Sequence, residues 1–179
     1  MNASTHYPDP TLVETATRHT LSVIVDNEPG VLARIAGLFS GRGYNIESLT
    51  VSETEHERHV SRITIVTTGT NAILDQIKAQ LERLVPVHRV LDLTVQGNAI
   101  ERELVLAKVD GKGEQRVESM RLASALGAKV VDATLTSFVF ELSGTTEEVE
   151  RFIGLMMSVG LVEVSRTGIA AMSRGAIGM

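Results

Sequence analysis

The sequence predicts an α+β protein of two successive βαββαβ units, each an antiparallel sheet with two helices on one face. Three observations carry that prediction. Period-two apolar alternation and helical i, i+3, i+4 spacing take turns along the chain. Glycine and proline clusters punctuate the changeovers. The same order of elements then runs a second time, restarting after the short Gln96–Ala99 stretch.

The first unit opens with His19–Asp26, where Leu21, Val23 and Val25 alternate with Thr20, Ser22 and Ile24 as in a strand. Asn27-Glu28-Pro29-Gly30 turns the chain. Val31, Leu32, Ile35, Ala36 and Phe39 then recur at helical spacing until Gly41 and Gly43. Tyr44–Glu53 and Val60–Thr67 read as a pair of strands around the polar hairpin loop Thr54–His59. A second helix follows Gly69, with Asn71 as its expected cap and Ile73, Leu74, Ile77, Leu81 and Leu84 on one stripe. Pro86 closes it, and Val87–Val95 is a fourth strand.

In the second unit Glu103–Asp110 is a strand, Gly111-Lys112-Gly113 a turn, and Glu114–Leu126 a helix ended by Gly127. Lys129–Asp132 and Thr134–Ser143 are strands, the latter with Leu135, Phe138 and Phe140 apolar. Thr145 and Glu148 stand at capping-box spacing ahead of a helix whose apolar face is Val149, Phe152, Ile153 and Met156. Leu161–Arg166 is the last strand. The expected division is a disordered tail over 1–18, a first domain over 19–96, a linker over 97–101 and a second domain over 102–179. Both domains are expected to be ferredoxin-like.

Composition narrows the function. The 179 residues carry a net charge of −5 and only 3% aromatics, with no Trp, so neither bulk electrostatics nor stacking favours nucleic acid. No cysteine is present, which removes disulfides, zinc ribbons and thiol nucleophiles. The longest apolar run, Phe152 to Val162, is too short to span a bilayer, and the polar first 17 residues lack the core of a signal peptide. The expectation is a cytoplasmic protein with no membrane partner. Catalytic motifs fail: Gly41-x-Gly43 and Gly111-x-Gly113 lack the third glycine of a dinucleotide fingerprint, and no phosphate-binding loop or nucleophile elbow occurs. His56-x-x-His59 has metal-ligand spacing, but a solvated charged loop explains it, and no metal is expected. His19 and His88 read as packed or edge histidines. No catalytic residues are expected.

The Asn27–Gly30 loop is the exception. Pro29 presets φ and Gly30 tolerates positive φ, so the chain turns sharply into a helix start. Backbone N–H groups there, with the partial positive charge of a helix N-terminus, suit a small carboxylate. The Asn27 amide serves either a carboxylate or an ammonium, so the corner fits a free amino acid. Taken alone, the same four residues also read as a plain tight turn.

Asn27-Glu28-Pro29-Gly30-Val31-Leu32 after a strand resembles the opening of the ACT domain, an amino-acid-sensing module of βαββαβ order. Leu38-Phe39-Ser40-Gly41-Arg42-Gly43-Tyr44-Asn45-Ile46-Glu47-Ser48-Leu49-Thr50-Val51 resembles the small regulatory subunits of acetolactate synthase. So do Glu103–Val109 and the ending Val164-x-Arg166-Thr167-Gly168 with Met172-Ser173-Arg174-Gly175. The resemblance spans about residues 19–175.

That resemblance implies a homodimer formed through ACT domains, with valine or another branched-chain amino acid bound at the interface. By position, Asn27, Gly30, Val31 and Leu32 would form one side of the effector site, and Asn45 and Ile46, opening the second strand, the other side from the neighbouring chain. Gly30 and Val31 N–H groups would hold the carboxylate, Asn27 and Asn45 the polar groups, and Leu32 or Ile46 the isopropyl group. Asn45 also reads as a residue serving the Gly43 turn. The implied partner is a large catalytic subunit carrying thiamine diphosphate, magnesium and FAD, whose activity this chain would raise and make subject to feedback inhibition. The rival expectations are a free-standing ACT-type sensor acting on another enzyme and an enzyme of ferredoxin-like fold.

Overall fold

The computed structural model describes residues 15–179 except 56, 58, 96, 98 and 177; the expected disorder of the tail falls mostly outside them. In the first unit β1 (Thr17–Asp26), α1 (Val31–Ser40), β2 (Ser48–Glu55), β3 (Val60–Gly69), α2 (Asn71–Leu81) and β4 (Val87–Asp92) follow one another. Their strands form an antiparallel sheet of order β2-β3-β1-β4. Alternation decides which face is buried: Leu21, Val23 and Val25 of β1 and Ile63 and Ile65 of β3 pack against Ile35 and Phe39 of α1 and Leu74, Ile77 and Leu81 of α2.

The second unit repeats the plan with β5 (Ala99–Asp110), α3 (Glu114–Ala125), β6 (Lys129–Ala133), β7 (Ser137–Gly144), α4 (Thr146–Met157) and β8 (Leu161–Ser173), in sheet order β6-β7-β5-β8. Val105, Ala107 and Val109 meet Phe138, Phe140, Val149, Phe152 and Met156 in its core. Helix α3 buries only Ser119 and Ala123. The two βαββαβ units are therefore as the sequence predicts. No helix among the described residues is long and apolar enough to cross a membrane.

Boundaries differ where tertiary partners take over. Thr17 and Arg18, assigned to the tail, belong to β1 because they pair with Gly69 and Thr68. The second strand starts at Ser48 rather than Tyr44; Tyr44 and Ile46 instead pack on the first core from a loop. Helix α2 is capped by Thr70, whose side chain accepts from the Ile73 N–H, and not by Asn71. β4 ends at Asp92, whose carboxylate accepts from the Thr94 N–H at 3.0 Å and so turns the chain. Thr134–Ser137 is a turn held by the Thr134 hydroxyl, which leaves Leu135 93% exposed.

The largest revision concerns the expected linker and the last strand. Ala99–Glu101 are strand, and β8 runs seven residues past Arg166, to Ser173. β7 pairs with β5 only from Glu103 onward, whereas Ala99–Arg102 pair with Ser173–Ala170. The two long strands thus form a ribbon that overruns its own sheet and lies on the helix-free face of the first. Ile169 and Ala171 of the ribbon bury against Val66 and Leu93. The approach is close at Gly168 (φ +79°), where a Cβ would stand 2.7 Å from Ser48 Oγ. Beside it the Ile169 N–H donates to Ser48 Oγ at 3.1 Å.

Candidate functional site

The corner between β1 and α1 is built by its backbone. The Asn27 N–H donates to the His59 carbonyl at 2.6 Å, tying the loop to the β2–β3 hairpin. Gly30 caps α1 with φ 90° and ψ −8°, a left-handed conformation, and its carbonyl receives the Arg34 N–H at 3.0 Å. The N–H groups of Gly30, Leu32 and Ala33 find no acceptor among the described residues. Val31 departs from expectation: its N–H turns back to the Glu28 carbonyl at 3.4 Å, and its side chain is buried. Asn27 is exposed and Leu32 is 42% exposed, so both side chains are open to a ligand. Exposed Glu28 is partnered by Arg34 at 3.5 Å.

The other expected half lies elsewhere. Thr67 donates its hydroxyl to the Asn45 carbonyl at 2.7 Å, and Thr67 pairs with His19. Asn27 follows Asp26, which pairs with Val60. Seven register steps separate these ends, about 23 Å at roughly 3.3 Å per residue. One chain therefore gathers Asn27, Gly30, Val31 and Leu32, and holds Asn45 and Ile46 at the far end of the same sheet. Asn45 is exposed, but Ile46 packs on its own core, leaving Leu32 as the open apolar side chain.

His19 and His88 have structural roles. His19 is buried with Nδ1 2.8 Å from Asp92, and half-exposed His88 lies 2.6 Å from Asp26. His56 falls outside the described residues. Among those residues no group of three or more His, Cys, Asp or Glu side chains is placed to hold a metal.

Comparison with known proteins accounts for both units. Residues 21–89 match the AHAS small subunit-like ACT domain family, and residues 102–175 match the family described as the small subunit of acetolactate synthase. The chain is 44% identical over 158 residues to the probable acetolactate synthase small subunit of Archaeoglobus fulgidus, covering 88% of this chain and 98% of that protein. This chain belongs to the acetolactate synthase small-subunit family. The Haemophilus influenzae small subunit is 45% identical over 159 residues, covering 88% of this chain and 96% of that one. The crystal structure of the Thermotoga maritima small subunit superposes with a TM-score of 0.80 at 34% identity, covering 90% of this chain and 99% of that one. The protein is thus a non-catalytic, regulatory subunit of acetolactate synthase, with a large catalytic subunit as its partner.

Within this small subunit, a polar seam that the sequence reading missed joins the two units. Arg18 lies 3.6 Å from Glu47 and 3.5 Å from Glu101, and the Thr20 hydroxyl donates to Glu101 at 2.5 Å. Beside them Arg166 grips buried Glu103 with two hydrogen bonds, at 2.6 and 2.8 Å, and reaches Glu150 at 2.5 Å. Hydrogen bonding to Glu103, then to Glu150, raises the Arg166 pKa further above its ordinary value, so that guanidinium stays charged. The one signal in the sequence was Glu101-Arg102-Glu103 at the start of a strand, where a charge on each face calls for partners on both.

Proposed function

We propose that this small subunit activates the acetolactate synthase catalytic subunit and makes it subject to feedback inhibition by valine or a related branched-chain amino acid. The observation that carries the reading is the α1 corner: donors at Gly30, Leu32 and Ala33 with no acceptor among the described residues, flanked by exposed Asn27 and Leu32. Helix-start N–H groups favour the carboxylate, the Asn27 amide fixes polar groups, and Leu32 covers the side chain. Burying a valine-sized side chain contributes roughly 1.5–3 kcal/mol.

The site is completed by a second copy. β2 is an outer strand with an unpaired edge. Two-fold pairing of β2 with β2 runs antiparallel, so the start of one strand meets the end of the other. That pairing carries Asn45 of one copy toward the Asn27 loop of the other, across the distance a single chain cannot close. Effector binding then favours one arrangement of the dimer, with a coupling free energy on the order of 1–3 kcal/mol to the catalytic partner. That partner works in the cytoplasm and brings the thiamine diphosphate, magnesium and FAD.

The test combines calorimetry on the full chain with inhibition of the reconstituted enzyme. Asn27→Ala should weaken valine binding about tenfold, the loss of one hydrogen bond to a charged group, and shift inhibition equally. Gly30→Asp should abolish binding, while Gly30→Ala, equally strained but uncharged, should retain it. Valine binding unchanged in both Asn27→Ala and Gly30→Asp would reject the corner as the effector site.

A further inference from the structure

The chain from Asn45 to Thr50 links the proposed effector half to the second unit. Asn45 is exposed, while its carbonyl accepts from the Thr67 hydroxyl at 2.7 Å. The Glu47 N–H donates to the Val66 carbonyl at 2.8 Å. One Glu47 carboxylate oxygen accepts from the Thr68 hydroxyl at 2.6 Å, and the other faces Arg18 at 3.6 Å. Ser48 and Thr50 then reach the ribbon: Ser48 Oγ accepts from the Ile169 N–H at 3.1 Å, and the Thr50 hydroxyl donates to the Thr167 carbonyl at 3.5 Å. Ser48 stands three positions after Asn45, about 10 Å at a full extension of roughly 3.3 Å per residue.

Arg18 ties the same stretch to the second unit again. Among the described residues, Arg18–Glu101 is the one ion pair that crosses from unit to unit. The guanidinium stands 3.6 Å from Glu47 and 3.5 Å from Glu101, so it is shared almost evenly between them. A small displacement of Glu47 therefore changes its hold on Glu101. Glu47 is free to be displaced at modest cost, because Tyr44–Glu47 precede β2 and belong to no strand.

We infer that Asn45–Thr50 carries effector occupancy from the first unit to the second, with Arg18 as the positioning residue at the crossing. The inference rests on the proposed effector site, because the load on this stretch is a ligand at Asn45. A ligand that draws the Asn45 amide toward the Asn27 loop of the other copy pulls on Glu47, two positions on. Arg18 then redistributes its charge between Glu47 and Glu101, and the ribbon shifts against the first sheet. The catalytic partner meets the result as a change in how the two units sit on each other. An exposed ion pair changes an equilibrium by about two- to fivefold, so Arg18 sets the depth of inhibition and not the affinity for the effector.

The test follows valine through both units. On the full chain, valine should move the amide resonances of Leu32 at the corner and of Glu101 and Ile169 in the second unit along one saturation curve. In Arg18→Gln the Leu32 shift should persist at unchanged affinity while the Glu101 shift falls. In the reconstituted enzyme, that variant should raise the residual activity at saturating valine about two- to fivefold. Arg18→Lys, which keeps a cation between the carboxylates, should restore both readouts, as a change in mere packing would not. Glu101→Gln severs the crossing from the other side and should reproduce Arg18→Gln, and the two together should do no more than either alone. Amide spectra establish that each variant is folded. Wild-type shifts confined to the first unit would overturn the inference and leave the effector site standing, as would wild-type transmission and inhibition in both Arg18→Gln and Glu101→Gln. Valine that leaves Leu32 unmoved would remove the effector site and the inference with it.

Discussion

At Gly168 the two units meet through the absence of a side chain. Its φ of +79° disfavours any L-residue, and an added Cβ would stand 2.7 Å from Ser48 Oγ and 2.9 Å from Thr50 Oγ1. Gly168→Ala should destabilise the protein by roughly 1–3 kcal/mol, as overpacking does, and should weaken the contact between the units first. Amide exchange on Ile169, whose N–H donates to Ser48, reads that loosening, and an unchanged exchange rate would show the approach to be slack. Gly30 presents the contrary case. Nothing lies within 4 Å of its Cβ position, so substitution there costs conformation and not packing. Pro29 and Gly30 made the corner legible, because each restricts or frees φ by covalent structure. The Val31 N–H was not legible, because its use by Glu28 depends on how that carbonyl is turned.

Among the elements, α4 shows local chemistry read correctly. Thr145 Oγ1 accepts from the Glu148 N–H at 3.3 Å, and Glu148 Oε2 accepts from the Thr145 N–H at 2.7 Å, closing the capping box that the spacing predicts. Thr145→Ala should cost about 0.5–2 kcal/mol in chemical denaturation. The backbone hydrogen bond from Thr145 lowers the Glu148 pKa below its ordinary 4.5. A carboxylate whose pKa is lower folded than unfolded stabilises above the unfolded value, and the gain fades as pH falls through the folded one. The small contribution of Glu148 should therefore be complete at neutral pH and decline below about pH 4.5. Glu148→Gln, which keeps the geometry, should remove that part of the acid dependence. β8 shows the opposite outcome. Arg166-Thr167-Gly168 breaks the alternation and reads as an end, yet the strand continues because β5 pairs with it and the first sheet receives it.

For the whole molecule, the proposed dimer rests on the free β2 edge and on the separation of Asn27 from Asn45. Light scattering should give twice the 19.3 kDa chain mass. A Ser52→Pro change on the β2 edge should shift that mass toward the monomer and weaken valine binding with it. Monomers that bind valine at full affinity would show the site to be complete in one chain. Valine at a hundred times its dissociation constant should stabilise the folded dimer by about 2.7 kcal/mol, read as a raised Tm, and Gly30→Asp should abolish that rise.

The order of the elements, their buried faces, the tight corner after β1 and the α4 cap follow from the sequence alone. Each depends on residues within a few positions of one another, where covalent geometry and side-chain period act directly. Only the tertiary structure decided that β5 and β8 form a ribbon across the first sheet, that Arg18 joins Glu47 to Glu101, and that Asn45 lies a sheet's length from Asn27. Those relations depend on which surfaces meet once the chain has folded back on itself, bringing Arg18 to Glu101 and Ser48 to Ile169, and a local pattern carries no term for contacts between residues so far apart in sequence.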